Sequence, residues 1–265
     1  TFARGSRVVM VPNAPCETSD YIAENYLRSS KFCGSGFDGF MRELVVLPPE
    51  RVVALPDSIP NEVAAFTELV SVAAHAVNRF DSIAHEKRDR IGVWGDGNLG
   101  FIVSLILKMR YPQARICVYG RNEYKLNDFT FADETHLTYD APGECTCDHA
   151  FECCGGDGSV AAIEQIIDRI NPRHRVAARR LREQRAHQHP HGAREGPAPV
   201  RQQPQRSRGL RGHGAALPRA SGGAGLPRRP RVQRERGSPD LQISLLAFEA
   251  DIRKPMGKTV IRWNM

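Results

Sequence analysis

The sequence predicts an α/β protein in which a β-rich segment precedes a doubly wound parallel sheet, and three observations carry that prediction. Residues 91–94 form a short apolar run, as a strand buried on both faces does, and lead straight into a glycine-rich turn. The turn opens a long apolar stretch, residues 101–109, that reads as a helix. A second strand-like run follows at residues 116–119, so that strand, helix and strand together span about thirty residues, the length of one βαβ unit.

The remaining elements follow in chain order. Residues 7–12 read as one strand of the β-rich segment, and Glu68 opens a helix that runs toward His75 on its apolar face. Beyond the βαβ unit, Phe151, Glu152 and Cys153 end a further strand at the carboxyl edge of the sheet. Residues 159–170 form a helix, closed by Asn171 and Pro172, and helix and strand patterns return at residues 246–250 and 258–261.

The turn carries the chemistry. In Gly95-Asp96-Gly97-Asn98-Leu99-Gly100 the first glycine permits a tight turn, the second lets backbone approach a pyrophosphate, and the third lets helix and strand pack closely. Phosphates then sit against N–H groups at the helix N-terminus. The residues therefore predict a dinucleotide site lined by Gly95, Asp96, Gly97, Asn98, Leu99 and Gly100. Where an acidic residue would hold the ribose 2′-hydroxyl of NAD, this chain has Gly120 and Arg121. Arg121, with Lys125 one turn on, can donate charge-assisted hydrogen bonds to a 2′-phosphate, which points to NADP. The competing reading makes both residues solvated cations at a helix start.

Composition narrows the classes. The chain has 265 residues with no signal-peptide pattern and no long apolar run, which reads as soluble and cytoplasmic, with no membrane partner. Seven cysteines, several in predicted core strands, read as mostly reduced and buried. The pairs Cys145/Cys147 and Cys153/Cys154 lack zinc-knuckle spacing and are assigned no chemistry.

The net charge of +7 is uneven. Residues 173–238 contain 17 Arg, 3 Glu and neither Lys nor Asp, so they carry +14 and leave the rest of the chain at −7. They contain no Phe, Tyr, Trp, Ile, Met or Cys, and so cannot bury a core. Two readings stand. One is a disordered Arg-rich segment that binds nucleic acid through phosphate contacts, and the other is a segment out of register with its gene. Shifted GC-rich coding DNA yields Arg, Ala, Pro and Gly, and permitted codons read one base later over residues 173–196 give a strand, a turn and a helix. Frame disruption is therefore the favoured expectation and nucleic acid the disfavoured partner, with the frame returning near Pro239.

Taken together, these residues resemble the medium-chain, zinc-type alcohol and polyol dehydrogenases, and within them the ribulose-5-phosphate reductase branch. The match rests on the runs at residues 24–32, 36–40, 66–72, 92–101, 119–125, 151–153 and 247–251. The resemblance implies a partial GroES-like catalytic domain at residues 1–85, a Rossmann NADP-binding domain at 86–172 disrupted after residue 172, the Arg/Pro/Gly-rich stretch at 173–238, and a return to the catalytic domain at 239–265. It implies NADPH-dependent reduction of D-ribulose 5-phosphate to D-ribitol 5-phosphate, a CDP-ribitol precursor, with a catalytic zinc acting as Lewis acid and the intact protein a homodimer.

Only Glu68 matches a zinc-site position of the family. Its other reading is a carboxylate at a helix N-terminus, and His75 reads as a packed histidine. The family's first cysteine and histidine ligands would precede Thr1, so the zinc site is expected to be incomplete and the chain N-terminally truncated, with its activity in doubt. With only Cys16 and Cys33 in the region of the structural-zinc lobe, no structural zinc is expected. The resemblance also places Asn122 beside Arg121 and Lys125 at the 2′-phosphate, and Phe151, Glu152 and Cys153 toward the nicotinamide, with core packing favoured for Phe151. The catalytic residues are not identified, and another polyol or sugar dehydrogenase activity stands as the alternative.

Overall fold

Four parallel strands in the spatial order β7-β6-β5-β8 form the centre of the structure, a computed structural model that describes residues 2–143, 145–171, Gly257 and Val260. The stretch 173–238 and the helix and strand expected at 246–250 and 258–261 lie outside the described residues, Val260 excepted. By its contacts the chain falls into two compact units, one of which holds the described residues before Asp57 and the other those from Asp57 onward.

In the first unit β1 (Val8–Met10), β2 (Asn13–Ala14), β3 (Lys31–Phe32) and β4 (Val52–Ala54) pair as two antiparallel ladders, β1 with β4 and β2 with β3. The strand read at residues 7–12 is thus shorter than expected. No described residue before Asp57 is buried, and Leu44 and Val46 are exposed. The Arg51 and Glu24 side chains form an ion pair at 2.7 Å in this unit.

The second unit begins with α1 (Asn61–Ala64) and α2 (Thr67–Ile83), followed by β5 (Arg90–Trp94), α3 (Asn98–Arg110) and β6 (Arg115–Gly120). Then come α4 (Glu123–Leu126), β7 (Glu134–Leu137), β8 (His149–Glu152) and α5 (Gly158–Arg169). The sheet is parallel throughout, with Gly92 of β5 opposite Cys117 of β6 and Ala150 of β8. Strand order reverses on either side of β5, so the carboxyl ends of β5 and β8 flank a topological switch point, where doubly wound sheets bind ligands.

Both faces are covered, which explains the continuous apolar runs. On one face Ala73, Val77 and Phe80 of α2 and Phe101, Val103 and Leu107 of α3 pack against Ile91, Val93, Ile116 and Val118. On the other, Ala162 and Ile166 of α5 pack with Trp94, Cys117 and Tyr119, and the Trp94 and Tyr119 rings stack at 4.1 Å. The doubly wound α/β class read from the sequence is the fold observed. Helix α2 contributes its buried side chains to this sheet although its residues fall in the stretch 1–85.

The buried Asp148 is paired. The Asp148 carboxylate accepts from the N–H groups of Asp89 and Arg90 and from Asn171 Nδ2, and Lys87 lies 3.4 Å away. Burial pushes its carboxyl up, but the hydrogen bonds from Asn171 and Arg90 and the Lys87 charge outweigh that and hold it below the ordinary value. All seven cysteines are free, yet only Cys117 and Cys147 are buried, which corrects the expectation that most would be. Cys16 and Cys33 fall in the first unit, where no described residue is buried, and Cys153 and Cys154 follow the end of β8. Among the described residues no helix is long and apolar enough to cross a membrane.

Candidate dinucleotide site at the end of β5

The turn between β5 and α3 is built from glycines with different reasons to be there. Gly95 has φ +133°, and a Cβ on it would fall 2.6 Å from the backbone carbon of Cys153, so neither conformation nor space admits a side chain. Its N–H donates to Tyr119 O at 2.8 Å, while Cys153 N–H donates to Trp94 O at 2.7 Å, which pins the turn between β6 and the end of β8. At Gly100 a Cβ would lie 1.9 Å from Gly95 O, which is why α3 can pack down onto the turn. Gly97 differs: its φ of −92° is open to any residue, and a Cβ there would meet nothing within 4 Å. The protein's own packing needs Gly95 and Gly100. It does not need Gly97.

Gly97 is the N-cap of α3 and its carbonyl accepts from Phe101 N–H at 3.0 Å. The first N–H groups of such a helix have no intrahelical acceptor and carry the positive end of the helix dipole. Open space therefore meets anion-binding backbone at Gly97, which fits a diphosphate.

The neighbouring side chains are arranged less directly than the sequence suggests. Asp96 turns away toward β6, where its Oδ2 accepts from the N–H groups of Arg121 and Asn122, each at 2.8 Å. Gly120 makes room for this, since a Cβ on it would sit 2.6 Å from Asp96 Cβ. Asp96 thus holds the loop that carries Arg121. The Asn122 side chain accepts from Lys125 N–H at 3.4 Å and caps α4, and Arg121 is exposed, with its Nη2 3.9 Å from where a Cβ on Gly158 would lie. Leu99 packs against the core, which leaves its backbone to face the turn. Asn98 is engaged by the backbone of Gly257, to which its Nδ2 donates at 2.9 Å and from which its Oδ1 accepts at 2.8 Å.

At the end of β8 the buried Glu152 accepts, through Oε1, from Cys154 N–H at 2.9 Å and Gly155 N–H at 3.1 Å. Asp96 and Glu152 therefore each hold two consecutive N–H groups of a loop at the carboxyl edge. Their capping roles were missed from sequence, although an acidic residue at a strand end just before a turn was the available signal. Phe151 is buried in the core cluster, the packing role favoured for it.

Glu68 lies exposed in the first turn of α2, with partial desolvation raising its carboxyl above the ordinary value, and His75 is half-buried further along the same helix. Among the described residues Glu68 belongs to no group of three candidate metal ligands, so by itself it does not make a zinc site. The described residues do bring together Glu134, His136 and Cys145, whose ligand atoms lie within 4.8 Å of one another. That site is already cationic, for Arg90 and Arg115 both pair with Glu134, and Arg90 reaches Cys145 Sγ at 3.8 Å. Burial pushes the Glu134 carboxyl up, but the His136 hydrogen bond and the two arginine charges pull it below the ordinary value. A divalent cation would face two guanidiniums, so the group reads as an ion-pair network.

No family model matches the chain. It is 55% identical over 177 residues to the ribulose-5-phosphate reductase of Bacillus spizizenii, covering 67% of this chain and 52% of that protein. It is 48% identical over 176 residues to ribulose-5-phosphate reductase 1 of Staphylococcus aureus, covering 66% and 52%. The chain spans about half the length of the curated relatives it matches. Among solved structures, S. aureus TarJ in complex with NADPH superposes with a TM-score of 0.67 at 30% identity, covering 100% of this chain and 77% of that one. An alcohol dehydrogenase from Thermus sp. ATN1 gives a TM-score of 0.57 at 19% identity over 70% and 59%, a likeness of fold alone. With the glycine turn, the switch-point sheet and these relatives agreeing, the chain belongs to the family of the ribulose-5-phosphate reductases and of TarJ, and shares its fold with the alcohol dehydrogenases.

Proposed function

We propose that the complete protein reduces D-ribulose 5-phosphate to D-ribitol 5-phosphate with NADPH. The observation that carries the cofactor half is the open space over Gly97 at the N-terminus of α3, between two glycines that the protein's own packing requires. The substrate half rests on the names of the relatives at 46–55% identity, all ribulose-5-phosphate reductases. NADPH, when bound, supplies a hydride to the ketone carbon of the substrate, and a proton completes the alcohol at its oxygen.

The chain's own residues bind and orient. In this reading the backbone N–H groups of residues 97–100 take the diphosphate and Arg121 and Lys125 take a 2′-phosphate, which is supported by Asp96 holding the loop that carries Arg121. Glu152 holds the Cys154–Gly155 backbone on the other side of the switch point, the side on which the nicotinamide is expected. Oxidation of NADPH by the complete protein, followed by its loss of absorbance, tests the reading with D-ribulose 5-phosphate against unphosphorylated D-ribulose. Charged hydrogen bonds to a phosphate predict a kcat/KM at least about tenfold higher for the ester. Equal values would make the protein a general polyol dehydrogenase.

A further inference from the structure

The backbone joining Cys153 to Cys154 lies between a buried carboxylate and the glycine turn. A Cβ on Gly95 would fall 2.6 Å from Cys153 C, 2.7 Å from Cys153 O and 3.0 Å from Cys154 N, so this peptide rests directly on the Gly95 backbone. The N–H of the same peptide donates to Glu152 Oε1 at 2.9 Å, and Gly155 N–H reaches that oxygen at 3.1 Å. Glu152 is buried, and among the described residues its carboxylate forms no ion pair.

A peptide unit is planar and moves as one body. The grip of Glu152 is therefore passed on to Gly95 by contact, since close-packed atoms leave no slack to absorb a shift. Cys153 adds two further ties, donating its own N–H to Trp94 O at 2.7 Å and holding its Cβ 3.7 Å from where a Cβ on Gly100 would lie. Both glycines that the turn requires thus touch the segment that Glu152 holds, and the N–H groups at the start of α3 take their position from that turn.

We propose that Glu152 is a positioning residue: through the Cys153–Cys154 peptide it holds the dinucleotide turn in the shape that takes a diphosphate. The inference rests on the NADPH reading above. Glu152 acts on the part of the site that NADPH and NADH share, whereas Asp96 acts on the loop that carries Arg121. Its loss therefore weakens both nucleotides by the same factor and leaves the preference between them unchanged. Both N–H groups go to one oxygen, so a glutamine, whose amide keeps one such acceptor at the same reach, serves in its place. An aspartate, one methylene shorter, keeps the charge and loses the reach.

The test titrates the full chain and its Glu152→Gln, Glu152→Asp and Glu152→Ala variants with NADPH and with NADH, while circular dichroism reports whether each is folded at the titration temperature. The Asp and Ala variants are expected to lose about tenfold in affinity for both nucleotides, with the Gln variant within about threefold of the unaltered chain. Rescue by Gln and not by Asp separates the reach of the acceptor from its charge. Folded Asp and Ala variants that bind as the unaltered chain does, a Gln variant as weak as the Asp variant, or a loss confined to NADPH would each overturn the proposal alone. Asp and Ala variants that are both unfolded would overturn it too, making Glu152 a residue of the fold and not of the site. An unaltered chain that binds neither nucleotide would overturn the NADPH reading along with it.

Discussion

Gly100→Ala is expected to unfold or severely loosen the second unit even without cofactor. The added methyl would sit 1.9 Å from Gly95 O and 2.9 Å from Gly95 C, and these are backbone atoms of a turn pinned by hydrogen bonds to β6 and to the end of β8. Neither can swing aside as a flexible side chain would. Helix α3 would have to lift, taking Phe101, Val103 and Leu107 out of contact with β5 and β6. Overpacking and lost burial together make a cost of about 3 kcal/mol or more, a large part of the ~5–15 kcal/mol that holds a domain folded. For a chain of this size that lowers the unfolding midpoint by roughly 6 °C or more.

Gly97→Ala is the contrast. Its methyl enters open space at an ordinary φ, so only the small N-cap preference is lost, about 1 kcal/mol or less. Thermal unfolding of the two variants without cofactor, followed by circular dichroism, separates them. A Gly100 variant that melts with the unaltered chain would show that α3 does not rest on the turn as described.

The second large effect concerns cofactor choice. Removing Arg121 and Lys125 together, as alanines, is expected to weaken NADPH while leaving NADH nearly unchanged. Charged hydrogen bonds to a phosphate contribute about 1.5–3 kcal/mol each, but Arg121 is exposed and screened, so a loss of roughly tenfold in the preference for NADPH is the expected size. Added salt should erode the preference in the same direction. Asp96→Ala should reproduce part of this, because the Asp96 carboxylate holds the N–H groups of Arg121 and Asn122. Dissociation constants for both nucleotides settle it. An undiminished preference in the double variant would return Arg121 and Lys125 to the role of solvated cations.

What was legible in the sequence follows from what buries what. The βαβ unit could be read because β5 and β6 are covered on both faces and so run apolar without interruption, and because Gly95 and Gly100 have no tolerable substitute. Strand β7 was not read, since its Glu134-Thr135-His136-Leu137 looks like a polar stretch. Its Glu134 is nonetheless drawn into the structure by Arg90 of β5 and Arg115 of β6, a pairing across strands that no local pattern announces. Helix α4, with four residues, is too short for a period to show.

The site followed the same rule. The glycines could be assigned from backbone requirements, which are local. Asp96 and Asn98 could be placed at the turn but not oriented, because their partners, the N–H groups of Arg121 and Asn122 and the backbone of Gly257, lie 25 to 159 residues away. The first unit stayed least legible, for none of its described residues is buried and burial is the signal that periodicity reports.

Titration of the full chain with NADPH and with NADH tests the central claim most directly. It can be read by protein fluorescence, since Trp94 ends β5 immediately before Gly95 and is one of two tryptophans. The account predicts saturable binding of both nucleotides, with NADPH the tighter. A signal that never saturates with NADPH, or tighter binding of NADH, would contradict it.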